Sequence, residues 1–371
     1  MRNSPGDVRD SIFEYLATME SASISDIYDA VEARIGEVPP SSVRSSLNLN
    51  VPERIERVER GRYRLKLGDL PNNAQAKHEI FVSGKSRLVR ANCLQWFREQ
   101  EANSVHAVVT DPPYGLNEYS GIEQKKLRVG IGGIWRIPPA FDGHKRAPLP
   151  RFTILTASDR ILLHDFFAEF GRLLRRVTVP GANVLIASNP LLGHIVASAM
   201  NDAGFENRGM IARLVMTMRG GDRPKNAHKE FSDISVMPRS MWEPWVVLRN
   251  PLDGRVQDNL RKWQTGGFRR VSEHKPFGDV IKSHPTSPRE RQFAPHPSLK
   301  PQDFLRQLVR GVLPLGEGVV LDPFAGSGST LAAANFIGYS SVGVESDEDY
   351  FRLARTAIPA LTELIVRSPD L

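Results

Sequence analysis

Residues 321–330 read Leu321-Asp322-Pro323-Phe324-Ala325-Gly326-Ser327-Gly328-Ser329-Thr330. Just upstream, Val319–Leu321 is a short apolar run of the kind a buried strand needs, and Thr330–Ile337 reads as a helix. The order predicts a strand that delivers a Gly-x-Gly turn to a helix start. Such a turn lets backbone approach a ligand closely at the strand end, where a doubly wound sheet has its crevice. Two departures narrow the ligand. No Lys follows the glycines, as a phosphate-cradling loop requires, and Leu331 stands where a dinucleotide fingerprint has its third glycine. Glu345 ends the next predicted strand, Ser341–Glu345, and is placed to accept hydrogen bonds from ribose hydroxyls. A nucleoside without a pyrophosphate suits this turn better than NAD; a tight structural turn is the alternative.

The strand–helix alternation extends back to about Ile80. Arg87–Arg90, Val105–Thr110, Asn183–Ser188, Met210–Met216 and Trp245–Leu248 read as strands. Leu94–Glu99, Ile161–Arg175, Leu192–Ala203 and Gln302–Val312 read as helices, with a turn at Pro180-Gly181. Gly115–Thr153 reads as a long functional loop rich in Gly and Pro, and the basic stretch up to Lys300 as irregular. The expected architecture is α/β: a doubly wound, mostly parallel, Rossmann-like sheet covered on both faces over residues 80–365.

Residues 1–67 read as a separate small domain. Val8, Ile12, Phe13, Leu16 and Met19 recur at helical spacing, and Ile24, Ile27, Val31 and Ile35 repeat it after a cap-rich Ser23–Asp26. A third helix starts at Ser41 with Val43 and Leu47 inward. The strands Ile55–Val58 and Tyr63–Leu67 then meet around Arg60-Gly61. Three helices and a hairpin are the order of a winged helix, in which Arg44, with Ser42 and Ser45, faces DNA; a protein-binding adaptor is the alternative. Residues 68–79, rich in Asn, Pro and Gly, read as a linker.

Composition sets the outer bounds. The chain has 371 residues, 40% hydrophobic and 25% charged, which predicts a soluble protein of two domains, or of one large domain carrying an attachment. No stretch approaches the roughly 18 apolar residues of a membrane span, and Met1–Gly6 has no signal-peptide core, so no membrane partner is expected. A single cysteine, Cys93, excludes an internal disulfide framework and fits a reducing cytoplasm. The nine histidines lack metal-ligand spacing, and no metal is expected. The net charge of +7 is unevenly spread: Phe205–Lys300 has 18 basic and 10 acidic residues, Met1–Lys66 has 10 and 11. A polyanion should dock on the former. Arg219, Arg223, Lys225 and Lys229 form one candidate phosphate-contacting loop, and Arg261, Lys262, Arg269 and Arg270 another. Trp242, Glu243 and Trp245 read as core packing ahead of a base-binding wall.

The second chemical motif is Asp111-Pro112-Pro113-Tyr114, at the end of an apolar strand. An exocyclic amine on a nucleobase is a poor nucleophile because its lone pair is delocalised into the ring. Asp111 and the Pro112 carbonyl can accept its two hydrogens, favouring a more tetrahedral nitrogen able to attack a methyl group. The prolines stiffen the turn, and Tyr114 offers a face for a base extruded from the duplex.

Together the two motifs resemble those of the S-adenosylmethionine-dependent DNA amino-methyltransferases. Asp-Pro-Pro-Tyr precedes Phe-x-Gly-x-Gly, as in the beta group, and His296-Pro297-Ser298-Leu299-Lys300-Pro301 matches that family's His-Pro-x-x-Lys-Pro element. The resemblance implies a class I methyltransferase fold, a target-recognition insertion at about 217–295, and catalysis by Asp111, Pro112, Pro113 and Tyr114. It implies S-adenosylmethionine held by Asn92, Asp111, Asp322, Phe324, Gly326, Gly328, Ser329, Thr330 and Glu345, with Ser298 and Lys300 at the methionine carboxylate. Ala91-Asn92-Cys93 stands where the family often has Gly-Asp-Cys. The implied substrate is duplex DNA and the implied target adenine N6, because family members with Asp before Pro-Pro-Tyr mostly act there. Cytosine N4, a non-catalytic DNA-binding regulator and an RNA methyltransferase are the alternatives. A homodimer, and a restriction or defence-system partner met through the winged helix, are further candidate assemblies. Cys93 follows Asn92 rather than Pro, so it is not a cytosine-C5 nucleophile.

Overall fold

The computed structural model describes residues 8, 11–12, 15–16, 21–50, 55–59, 61–65, 78–113, 140–141, 144–145, 157–219, 221, 223–224, 226–296 and 298–366. The chain divides into two compact units, Met1–Lys77 and His78–Leu371.

In the first unit, β1 (Ala22–Ser23) leads into helix α1 (Ile24–Ile35). A reciprocal capping box starts that helix: Ser23 Oγ accepts from the Asp26 N–H at 3.2 Å, and the Ser23 N–H donates to Asp26 Oδ2 at 3.1 Å. Helix α2 (Pro40–Asn50) follows, then β2 (Ile55–Glu59) and β3 (Arg62–Leu65), in a three-stranded sheet of order β1-β3-β2. Gly61, at φ +80°, turns the chain between β2 and β3. Val8, Ile12, Leu16, Ile27, Val31, Val43, Leu47, Ile55 and Tyr63 share one core. Phe13, Met19 and the stretch read as a linker up to Lys77 lie outside the described residues.

The second unit is built on a nine-stranded sheet. Its elements in chain order are β4 (Ile80–Ser83), β5 (Ser86–Arg90), α3 (Cys93–Glu99), β6 (Val105–Thr110), the small pair β7 (Ala140–Phe141) and β8 (His144–Lys145), α4 (Ala157–Val177), β9 (Thr178–Ala187) and α5 (Gly193–Asp202). Then come β10 (Glu206–Arg219), β11 (Ser240–Arg249), α6 (Val256–Trp263), β12 (Val280–Lys282), α7 (Pro288–Phe293), α8 (Gln302–Val312), β13 (Val319–Asp322), α9 (Ser329–Ile337), β14 (Ser340–Glu345) and α10 (Glu348–Thr362). The sheet order is β12-β10-β11-β9-β6-β13-β14-β5-β4, with β7 and β8 forming a sheet of their own. Strands β5, β14, β13, β6 and β9 run parallel; β4 and β11 join antiparallel, and β12 runs parallel to β10.

Period-two alternation decides which side chains enter which layer. Val108, Val184, Ile186, Val246, Leu248 and Leu321 face a core shared with Trp96, Phe97, Phe167 and Phe170 of α3 and α4. Their neighbours Ala107, Val109, Leu185, Ala187, Trp245, Val247 and Val320 face the opposite layer, with Phe304, Leu308 and Val309 of α8. Both faces are covered, so the central strands read as continuous apolar runs rather than alternating ones.

Three expectations need correction. Pro180-Gly181 is not a turn ahead of the strand but part of β9: Val105 pairs with Thr178 and Ala107 with Asn183, so the residues between bulge out. The stretch up to Lys300 is not irregular, since it holds α6, β12 and α7. Helix α7 starts at a Ser287/Glu290 capping box followed by Pro288. The sequence reading also lacked β4 and α10, the latter capped by Asp347, which accepts from the Tyr350 N–H at 2.9 Å. Most of Gly115–Thr153 lies outside the described residues. No helix among the described residues is long and apolar enough to cross a membrane.

Cys93 opens α3 against this core, and burial pushes its thiol up to about 12. Iodoacetamide at about pH 8 should leave Cys93 unmodified in the native protein and alkylate it in urea, as read by mass spectrometry. Equal rates in both conditions would contradict the packing.

Candidate active site

The C-terminal ends of β6, β13 and β14 open onto one cleft. In the parallel register Val320 pairs with Ala107 and Leu321 with Val108, so two segments about two hundred residues apart leave the sheet side by side. Their closest link is a hydrogen bond from Thr110 Oγ1 to Asp322 Oδ1 at 2.7 Å, fully buried. Asp322 also receives the Phe324 N–H at 3.1 Å and the Thr330 hydroxyl.

The glycine turn then folds over Glu345. Gly326 and Gly328 hold φ of +50° and +80°, where a side chain is strained, and a Cβ on Gly328 would lie 2.3 Å from Ile358 Cγ1. The Gly326 N–H donates to Glu345 Oε2 at 2.7 Å, and the Asp347 N–H to Oε1 at 2.8 Å. Phe324 stacks on Phe170 with centroids 5.8 Å apart. Ser327, Ser329 and Thr330 line the cleft where α9 begins. His296 closes the turn from the other side, its ring edge-on to Tyr350 with 4.4 Å between centroids. Its Nδ1 accepts the Ser298 N–H at 3.2 Å. Burial, with the Lys300 charge adding to it, brings His296 down to about 4, so its imidazole is neutral at physiological pH.

Asp111 follows β6 into the same cleft, with Pro112 buried behind it. Its carboxylate pairs with the Lys300 ammonium, which also lies 3.3 Å from Glu243 Oε1. Glu243 in turn accepts from Arg213 Nη1 at 2.9 Å. Burial works against the Lys300 charge, but the carboxylates of Asp111 and Glu243 outweigh it and raise Lys300 above the ordinary lysine value.

The structure thus gathers Asp111, Pro112, Ser298, Lys300, Asp322, Phe324, Gly326, Gly328, Ser329, Thr330 and Glu345 around one end of the sheet. Two of the expected cofactor residues also have partners inside the protein. Asn92 caps α3, its Oδ1 accepting from the N–H groups of Leu94 and Gln95 at 3.0 and 3.2 Å. Lys300 is compensated by Asp111 and Glu243. Tyr114 and Lys225 lie outside the described residues, as does the side chain of Arg219.

The basic segment divides between two ends of the sheet. Strand β10 runs in the sense of β6, so the loop after it, with exposed Arg223 and Lys229, leaves from the cleft end. Strand β11 runs back, and the chain after Arg249 emerges at the opposite end. There Asn259 and Thr265 bond to the Pro180 carbonyl at 3.1 and 2.6 Å, and Arg269 donates to the Tyr339 hydroxyl at 2.7 Å, just ahead of β14. Arg261 pairs with Asp258, Lys262 with Asp253, and Arg270 donates to the carbonyls of Ser272 and Glu273. These four residues stand at the end of the sheet away from the cleft, roughly 20 Å off along the six-residue β6. The residues missed by sequence reasoning are Thr110, Arg213 and Glu243. A signal existed: Arg213 and Glu243 are charges of opposite sign amid the apolar residues of adjacent strands, and they pair in register. Trp245, by contrast, is fully buried against Phe304, as expected of a core residue.

A family model described as DNA methylase matches residues 105–356. The chain is 22% identical over 285 residues to the type II methyltransferase M2.DpnII of Streptococcus pneumoniae, covering 76% of this chain and 93% of that one. A solved M1.HpyAVI–SAM complex is similar at 16% identity and TM-score 0.46, covering 74% and 98% of the two chains. The cytosine-N4-specific PvuII DNA methyltransferase is similar at 11% identity and TM-score 0.49, covering 78% and 89%.

Burial lifts Asp322 to about 6, outweighing its hydrogen bonds. An unfolded Asp ionises near 3.9, so the folded state carries a cost that grows as pH rises from about 4 through about 6 and persists above. Asp322→Asn keeps the Oδ1 acceptor and removes that cost. Its Tm should exceed wild type by a few degrees at about pH 7.5, with the gain vanishing near pH 4. A difference that does not change with pH would refute the assignment.

Proposed function

Because the chain belongs to the DNA methylase family of N6-adenine and N4-cytosine methyltransferases, we propose that it methylates adenine N6 in duplex DNA. The observation that carries this reading is Asp111-Pro112 at the end of β6, in the cleft that also holds the glycine turn. The Asp before Pro-Pro supports adenine as the target over cytosine.

The cleft fits a nucleoside methyl donor. A Cβ on Gly326 would lie 3.2 Å from the His296 ring, so the glycine lets that ring pack closely against the turn. Glu345 accepts the Gly326 and Asp347 N–H groups, which fixes its carboxylate at the strand end where ribose hydroxyls would bind. No lysine stands in the turn to meet a pyrophosphate. Phe324 presents an apolar ring, and the hydroxyls of Ser298 and Ser329 are donors for the amino-acid carboxylate. S-adenosylmethionine, the family's methyl donor, supplies an electrophilic sulfonium methyl group that the target nitrogen takes as the S–C bond breaks.

Asp111 and the Pro112 carbonyl accept the two amine hydrogens, drawing the nitrogen lone pair out of conjugation with the ring. Asp111, paired with the Lys300 ammonium, stabilises the positive charge that develops on that nitrogen, which returns to neutrality by losing one amine proton to solvent. Pro112, buried, fixes the direction of its own carbonyl. Tyr114 supplies the stacking face for the extruded base in this reading. The N-terminal unit we read as a winged helix, with Arg44 exposed on α2.

Incubating the protein with labelled S-adenosylmethionine and mixed-sequence duplex, then digesting to nucleosides, tests the reading. N6-methyladenine is expected; N4-methylcytosine would move the target, and no transfer on any duplex would favour a non-catalytic regulator. Asp111→Ala should lower transfer by at least about a thousandfold with cofactor binding retained.

The division of the basic segment makes a second expectation. Arg223→Ala with Lys229→Ala should weaken duplex binding and flatten its salt dependence by about one to two units of slope. Arg261→Ala with Arg270→Ala, at the far end, should leave that slope unchanged. Equal effects from the two pairs would show that DNA reaches both ends.

A further inference from the structure

The buried charges of the cleft continue into the strands that carry the basic loop. Lys300 lies between two carboxylates: Asp111 on the catalytic turn and Glu243 on β11, at 3.3 Å. Glu243 stands in register opposite Arg213 of β10, whose Nη1 reaches Glu243 Oε2 at 2.9 Å. The remaining Arg213 donors are also engaged: Nε with Ser283 Oγ and Nη2 with the His284 carbonyl, both at 3.0 Å, just beyond β12. The Arg213 guanidinium carbon lies 5.0 Å from the centroid of the Phe304 ring. The four charged side chains are between 7% and 16% exposed, and their formal charges cancel.

We propose that Glu243 is a positioning residue for methyl transfer: by sharing Lys300 with Asp111 it holds the Asp111 carboxylate where the target amine meets it, and Arg213 anchors Glu243 from the recognition strands. The inference rests on the reading that Asp111 accepts the amine hydrogens.

The physical reason is a division of donors. An ammonium has three N–H groups, and with carboxylates on two sides it cannot turn all of them onto one. Without the Glu243 charge, the whole Lys300 charge falls on Asp111. That draws the carboxylate toward Lys300 and makes it a weaker hydrogen acceptor for substrate. Arg213 is then left buried without its carboxylate, a costly state that β10 and β12 must absorb. The other ionisable groups facing this cluster are Asp322 beside Asp111, His296 beside Lys300, and the Asp303–His284 pair, 3.1 Å apart, on the Arg213 side. None of them replaces the charge of Glu243 at Lys300.

The test uses the full chain carrying Glu243→Gln, compared with wild type for kcat, KM for duplex, Kd for S-adenosylmethionine and the pH profile of kcat. The expected result is a fall in kcat of about a hundredfold with Kd for S-adenosylmethionine near wild type. The acid limb should move to lower pH, because removing an anion near Asp111 makes its carboxyl more acidic. Glu243→Asp keeps the charge and should return the acid limb to its wild-type position while kcat stays below wild type. If Glu243→Gln shows no cooperative melting transition, Glu243→Asp alone decides: wild-type kcat in that variant overturns the proposal. An unchanged kcat and acid limb in Glu243→Gln overturns it as well. So does a loss confined to cofactor affinity, which would return Lys300 to the methionine carboxylate. Should wild type transfer no methyl to DNA, the functional reading fails on its own. A carbon-13 NMR titration of Asp111 in wild type and Glu243→Gln then decides the positioning role, with a lower midpoint expected and an unchanged one overturning it.

Discussion

The parallel pairing of β6 with β13, fastened at its C-terminal end by the buried hydrogen bond from Thr110 to Asp322, governs where everything else falls. These are the middle strands of the sheet, and the Asp111-Pro112-Pro113 turn and the glycine turn continue directly from their ends. A one-residue slip would send Val108 and Leu321 out of one core and turn Thr110 away from Asp322. The two apolar layers therefore do more than stabilise. Because each strand residue is assigned to a face by packing against α3 and α4 on one side and α8 and α9 on the other, the register that aligns the two turns has no equivalent alternative.

Above this apolar sheet lies a group of ion pairs, which a designer seeking stability alone would replace. Buried pairs seldom repay the cost of leaving water relative to well-packed apolar side chains, and removal of one member is expensive. Asp111, Lys300, Glu243 and Arg213 nevertheless sit together at the mouth of the cleft. Their neutrality in sum makes the burial tolerable. Lys300 gives both neighbouring carboxylates a compensating charge in a place that water reaches poorly.

Much of this was legible in the amino-acid order. The capping box at Ser23, the strand Val105–Thr110 and the helix Gln302–Val312 lie where periodicity puts them, because each has a local signal that packing does not override. The cleft was legible for the same reason, its two turns being short, rigid and strongly typed. Three things were not. The bulge at Pro180-Gly181 reads as a turn because the residues that identify a turn also permit a bulge. The cap that Asn92 makes is seen only once α3 is found to begin at Cys93. The direction of β11, which carries Arg261, Lys262, Arg269 and Arg270 to the far end, is a property of strand pairing and not of any residue in the loop. Net charge located a segment; only topology divided it.

The order of strands along the chain has a consequence for biosynthesis. Strands β13 and β14 lie between β6 and β5 in the sheet, yet they are made last, after residue 318. Until they leave the ribosome, β5 and β6 have nothing to pair with on their facing edges, and the two core layers stay open along the middle. Unpaired edges of this kind invite association with other chains. The nascent chain thus has no cleft until residues 319–345 are made and close the sheet. A chain interrupted before residue 319 would hold Asp111 and its prolines with no glycine turn beside them.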